Sequence, residues 1–165
     1  MVIKRGFTLI ELIVVIGLLG LLAVAISGIM LTSLVSSSNV RSATRVKQAG
    51  NYVLGQAQNL LRNAKTVVTC NSGATPPFIT FINPDGGQTT LTSEFDGTNT
   101  RIASNSGMYL TPANLAISSY SLSCAPSDTN PALVNFSFDL KDTTSSRAAL
   151  SPLLHFETSV SLRNQ

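Results

Sequence analysis

The residues able to do chemistry in this 165-residue chain are sparse: two cysteines, one histidine and eight carboxylates. No Gly-x-Ser-x-Gly nucleophile, phosphate-cradling glycine loop or carboxylate pair falls in a plausible helix or strand setting, so no enzymatic activity is expected. Cys70 and Cys124 each end a predicted strand. Outside the cytoplasm they are expected to form a disulfide, worth about 3–4 kcal/mol for a loop of that length; the alternative is two separate buried thiols. Two cysteines and His155 are too few for a structural zinc site, and no metal or cofactor is expected. His155 lies within a predicted strand before Phe156 and reads as a surface residue rather than a base. Asp96-Gly97-Thr98-Asn99 offers oxygens to a calcium ion, but a lone aspartate there is far more often simply a turn. The formal sequon Asn135-Phe136-Ser137 falls inside a predicted strand and is set aside. The most informative group is Glu11, a carboxylate at the mouth of a long apolar run. An acid in a bilayer helix costs about 2.5–3.5 kcal/mol at the centre and less near the end, so its presence asks for a positive partner. The bland alternative is an interfacial acid that snorkels to water.

The elements that must position these groups differ sharply along the chain. The overall 44% apolar and 12% charged content averages two unlike parts. Residues 1–65 carry seven Lys/Arg against one acid, and residues 66–165 carry four against seven, so the formal +3 is +6 in front and −3 behind. The back part offers no basic face to phosphate, which argues against direct nucleic acid binding. Residues 12–31 contain no charge and only Ser27 as a weakly polar interruption. As a helix they rise about 30 Å, the hydrocarbon thickness of a bilayer. Gly17, Gly20 and Gly28 lie within the run and are common in membrane helices. Lys4, Arg5, the apolar run and Ala23-Val24-Ala25 also fit a conventional secretory signal cut near Ala25, and a plain anchor needs the run alone. Neither accounts for Glu11. Arg41, Arg45 and Lys47 follow the run closely, so counting positive charges on its two sides does not orient it.

The segment Lys4-Arg5-Gly6-Phe7-Thr8-Leu9-Ile10-Glu11, followed by a long apolar helix, resembles the prepilin signature of type IV pilins and type II secretion pseudopilins. The resemblance implies that a membrane-bound prepilin peptidase cuts between Gly6 and Phe7 and methylates the new amine of Phe7. Lys4 and Arg5 are then the leader's basic residues, and Glu11 sets register by pairing with the amine of a neighbouring subunit. It further implies residence in the bacterial cytoplasmic membrane with a single pass and the C-terminal domain outside, then incorporation into a pilus or pseudopilus at the cell surface. The implied partners are prepilin peptidase, other pilin or pseudopilin subunits, an inner-membrane assembly platform and, before assembly, membrane lipid. Major pilins usually carry a proline within the apolar helix; here Gly28 stands near that place and the first proline is Pro76. Asn63-Ala64-Lys65 and the C-terminal stretch from Phe156 are similar to minor pilins of the PilW or J-pseudopilin kind.

Beyond the apolar run, Val40, Ala43, Val46, Ala49 or Gly50, Val53/Leu54, Ala57, Leu60/Leu61 and Ala64 recur at helical spacing. They predict one amphipathic stripe and, with no proline present, one nearly continuous helix over 8–64. Residues 66–70, 78–82 and 89–92 read as strands, with Asn83-Pro84-Asp85-Gly86-Gly87 as a turn. Leu115, Ile117, Tyr120, Leu122 and Cys124 form another strand whose alternation slips at Ser118-Ser119. Val134, Phe136, Phe138 and Leu140 alternate strictly, as do Leu154, Phe156, Thr158, Val160 and Leu162, and the two runs read as paired strands. The expected fold is α+β, a long N-terminal helix whose second half packs on a small antiparallel sheet. The expected divisions are a leader at 1–6, a transmembrane or filament-core helix at 7–35, its amphipathic half at 36–65 and an extracytoplasmic β-rich domain at 66–165.

Overall fold

The computed structural model describes residues 8–105, 107–126, 131–144 and 152–162. One helix, α1, runs from Leu9 to Asn63, and seven strands follow: β1 Thr66–Asn71, β2 Phe78–Ile82, β3 Gln88–Phe95, β4 Thr100–Ser104, β5 Leu115–Ala125, β6 Leu133–Asp142 and β7 Leu154–Ser161. The architecture is α+β with an apolar N-terminal helix. Contacts within the chain divide it into two units, Met1–Val40 and Arg41–Gln165.

In the first unit the apolar side chains between Leu9 and Val35 stand uncovered, with Leu9 77%, Leu21 72% and Leu31 66% exposed. Nothing lies within 4 Å of a Cβ placed on Gly17, Gly20 or Gly28. The helix is long and apolar enough to cross a membrane.

The second unit holds the core. Ser42, Val46, Gly50, Val53, Ala57 and Leu61 are buried, a stripe recurring every three or four residues. The expected stripe is shifted at its start, because Val40 is 61% exposed and Ser42 is buried instead. Ser42 is inside because its hydroxyl donates to Asp142 at 2.9 Å. A buried hydroxyl with a partner is tolerated where an exposed valine gains nothing.

The strands form two antiparallel sheets rather than the single one expected: β1-β2-β3-β4 and β5-β6-β7. The physical reason lies at the edge of β4, a strand the sequence pattern did not mark. The segment after β4 folds back along it: Leu110 N–H donates to the Ile102 carbonyl at 2.7 Å, Ile102 N–H to Thr111 Oγ1 at 3.1 Å, and Ser104 N–H to the Met108 carbonyl at 2.9 Å. With that edge occupied, β5 pairs with β6 instead. The slipped alternation at Ser118-Ser119 is a bulge between Ile117 and Ser119 in this pairing. The β2–β3 connection is the tight turn expected at 83–87, with Gly86 at φ +87° and the Asn83 N–H bonded to the Gly87 carbonyl at 2.7 Å. Inside, Phe136, Phe138 and Phe156 form a ladder across β6 and β7, with centroids 5.3 Å apart at each step.

Candidate functional site

Lys4, Arg5, Gly6 and Phe7 lie outside the described residues. Description begins at Thr8, which caps α1: its Oγ1 accepts the Glu11 N–H at 3.3 Å, and its carbonyl accepts the Leu12 N–H at 3.2 Å. Glu11 sits in the first helical turn. Thr8-Leu9-Ile10-Glu11 thus has the spacing of a capping box, in which a hydroxyl residue and an acid three positions later satisfy helix-end donors. This role of Thr8 was legible as T-x-x-E before an apolar run, and the expectation built on Glu11 alone missed it. Glu11 makes no ion pair among the described residues. A negative side chain at a helix N-terminus is favoured by the helix dipole, so its position suits it whether or not a cation arrives.

In the second unit the two cysteines come together. Cys70 in β1 and Cys124 in β5 are joined by a disulfide with Cα atoms 6.6 Å apart, linking the four-stranded sheet to the three-stranded one. His155 is a surface residue on β7, its Nδ1 2.6 Å from Asp139 Oδ1 on β6 and its Nε2 3.7 Å from Glu157. The Asp139 hydrogen bond raises the imidazole pKa. Asp96 makes a turn: its Oδ1 accepts the N–H groups of Asn99 at 2.8 Å and Thr98 at 2.9 Å, and its Oδ2 accepts Arg101 Nη1 at 2.9 Å. The Asn99 amide, then Arg101 and the Thr98 amide, hold its pKa down at about 2. Both carboxylate oxygens are therefore engaged by the protein's own donors.

Asp142, unmarked in the sequence, is a second organising acid. Its side chain is 2% exposed and is surrounded by donors from two directions. Ser42 Oγ and Arg45 Nη1 on α1 reach Oδ2 at 2.9 and 3.4 Å, while the N–H and hydroxyl of Thr144 reach Oδ1 at 2.9 and 2.6 Å. Burial pushes its pKa up, but the Thr144 and Ser42 hydrogen bonds and the Arg45 charge outweigh burial and hold it below the usual value. A carboxyl with a depressed folded pKa adds stability that is present above its unfolded pKa, about 4, and is lost as pH falls through the folded value. Asp142→Ala is expected to lose about 2 kcal/mol at neutral pH, since it leaves the buried Ser42 hydroxyl without its acceptor. In denaturant melts from pH 6 down to pH 2, Asp142→Asn should show a flatter acid limb than the parent chain. An identical acid limb would contradict this account of the site.

Residues 1–27 match the family model described as the prokaryotic N-terminal methylation motif. The chain therefore carries the signature of type IV pilins and pseudopilins. The motif and the uncovered apolar helix together support a prepilin-type subunit of a pilus or pseudopilus, processed by prepilin peptidase. No curated protein and no solved structure matches the chain.

Proposed function

We propose that the chain is a non-enzymatic structural subunit, a minor type IV pilin, cut after Gly6, methylated at Phe7 and assembled into a filament. The observation that carries this reading is the pairing of the methylation motif with a helix whose apolar side chains are uncovered through the turns that follow Glu11. Exposed apolar surface of that extent must be covered, first by lipid and then by copies of the same helix. In this account the subunit waits in the cytoplasmic membrane with its β-rich domain outside, and an assembly platform then extracts it. The amine created at Phe7 neutralises Glu11 of a neighbouring subunit. In apolar surroundings either charge left alone is costly, so the pair selects one axial offset between subunits.

Substitutions of Glu11 separate this role from capping. Glutamine keeps the hydrogen-bonding capacity of a capping box but removes the charge, whereas alanine removes both. Glu11→Gln is expected to leave processing intact and to reduce incorporation into sheared filaments as severely as Glu11→Ala. Normal incorporation of Glu11→Gln would show that register does not depend on the charge.

A further inference from the structure

α1 begins at Leu9, two residues beyond Phe7. The Thr8 carbonyl accepts the Leu12 N–H at 3.2 Å, the first rung of the helix ladder among the described residues. The amides of Leu9, Ile10 and Glu11 therefore have no carbonyl one turn back within the helix. Of these three donors, the Glu11 N–H is taken by Thr8 Oγ1 at 3.3 Å. An independent finding brings an enzyme to this end of the chain, since residues 1–27 match the N-terminal methylation motif. We infer that Thr8 is a positioning residue for prepilin peptidase: its hydroxyl holds the helix start at Leu9 and keeps the helix from advancing onto the Gly6 carbonyl. The inference rests on the reading of the chain as a substrate of that peptidase.

Hydrogen-bond accounting gives the cap this reach. In an α-helix the N–H of each residue bonds the carbonyl four residues before it. Helix geometry thus assigns the Glu11 N–H to the Phe7 carbonyl, and the Ile10 N–H to the Gly6 carbonyl, the one attacked in the cut. Thr8 Oγ1 already holds the first of these donors, so one further residue of winding gains nothing at Glu11 and must give up the cap. Without the hydroxyl, the orphan donors are satisfied by winding upstream, Glu11 N–H onto Phe7 and then Ile10 N–H onto Gly6. The pull is strong at the edge of an apolar span, where water supplies fewer partners. No proline stands upstream of Thr8 to stop the helix, and Gly6 only weakens it. A chain wound through Gly6 must unwind before its scissile bond enters an active site, so the enzyme meets a reduced competent fraction. That penalty falls on apparent affinity and leaves the chemistry of the bound state unchanged.

The test is cleavage of the full-length chain in mixed micelles by purified prepilin peptidase, with release of residues 1–6 followed by mass spectrometry. Thr8→Val keeps the β-branched shape and removes the acceptor, whereas Thr8→Ser keeps the acceptor and reduces the bulk. Loss of an N-cap shifts a helix-start equilibrium by about fivefold, so Thr8→Val should raise KM by up to about fivefold with kcat unchanged. Thr8→Ser should match the parent chain. Amide hydrogen exchange of the uncut chain supplies a second reading. In Thr8→Val the Ile10 amide should exchange more slowly than in the parent, because the advancing helix offers it the Gly6 carbonyl. Fraying of the helix end would make it exchange faster. An unchanged KM in Thr8→Val, an equal loss in Thr8→Ser, a fall in kcat instead, or faster exchange at Ile10 overturns the inference and leaves the substrate reading standing. A parent chain that the peptidase does not cut after Gly6 overturns that reading itself.

Discussion

Gly50→Ala is expected to destabilise the second unit by about 2 kcal/mol, although alanine is the better helix former by about 1 kcal/mol. A Cβ at Gly50 would lie 2.1 Å from Phe156 Cζ and 2.3 and 2.5 Å from its two Cε atoms. The ring edge of Phe156 therefore occupies the place where any side chain would begin. Phe156 cannot step aside easily, because it stacks on Phe138 with planes 19° apart and centroids at 5.3 Å. It is also only 8% exposed. Helix propensity and core packing thus predict opposite signs at one position, which makes the measurement decisive. Phe156→Ala alone should cost about 3–5 kcal/mol through lost burial and a cavity. The double variant should cost at least about 1 kcal/mol less than the sum, since the alanine methyl then enters vacated space. Denaturant unfolding of the detergent-solubilised chain reads all three, and a stabilised Gly50→Ala would refute this packing.

Removing the disulfide is the other large effect. Cys70 and Cys124 are 54 residues apart, and releasing that constraint on the unfolded chain costs about 4 kcal/mol in the loop-entropy account. The bond also joins two sheets that share no ladder, so it ties β1 to β5 where backbone hydrogen bonds do not. Cys70→Ala/Cys124→Ala should unfold at clearly lower denaturant, and the parent chain under strong reductant should shift by a similar amount. A reductant-insensitive midpoint would contradict the structural role of the bond.

What was legible beforehand follows the range of the interactions. Local periodicity revealed α1 and six of the seven strands, since alternation and helical spacing record which face each residue buries. Even the bulge in β5 was visible as slipped alternation. β4 was not, because Thr100-Arg101-Ile102-Ala103-Ser104 has no clear alternation: its two buried residues, Ile102 and Ala103, are adjacent in sequence. The split into two sheets depends on the fold-back of the segment after β4. Val40 and Ser42 exchanged places because the pattern counts apolarity, while Asp142, far away in sequence, decides which hydroxyl is worth burying. Gly50 was legible as a stripe position but not as the seat of Phe156, a contact only the tertiary structure supplies. At the N-terminus the charge logic of Glu11 was visible in one chain. The cap supplied by Thr8 was written just as openly, in the T-x-x-E spacing of Thr8 and Glu11.

The central claim is that the chain is a processed prepilin-type subunit, and its mature N-terminus tests this most directly. Intact and N-terminal peptide mass spectrometry of the protein recovered from its native membrane should find residues 1–6 absent and Phe7 carrying one methyl group on its amine. A chain beginning at Ile26, or one retaining Met1 and its leader, would contradict the claim.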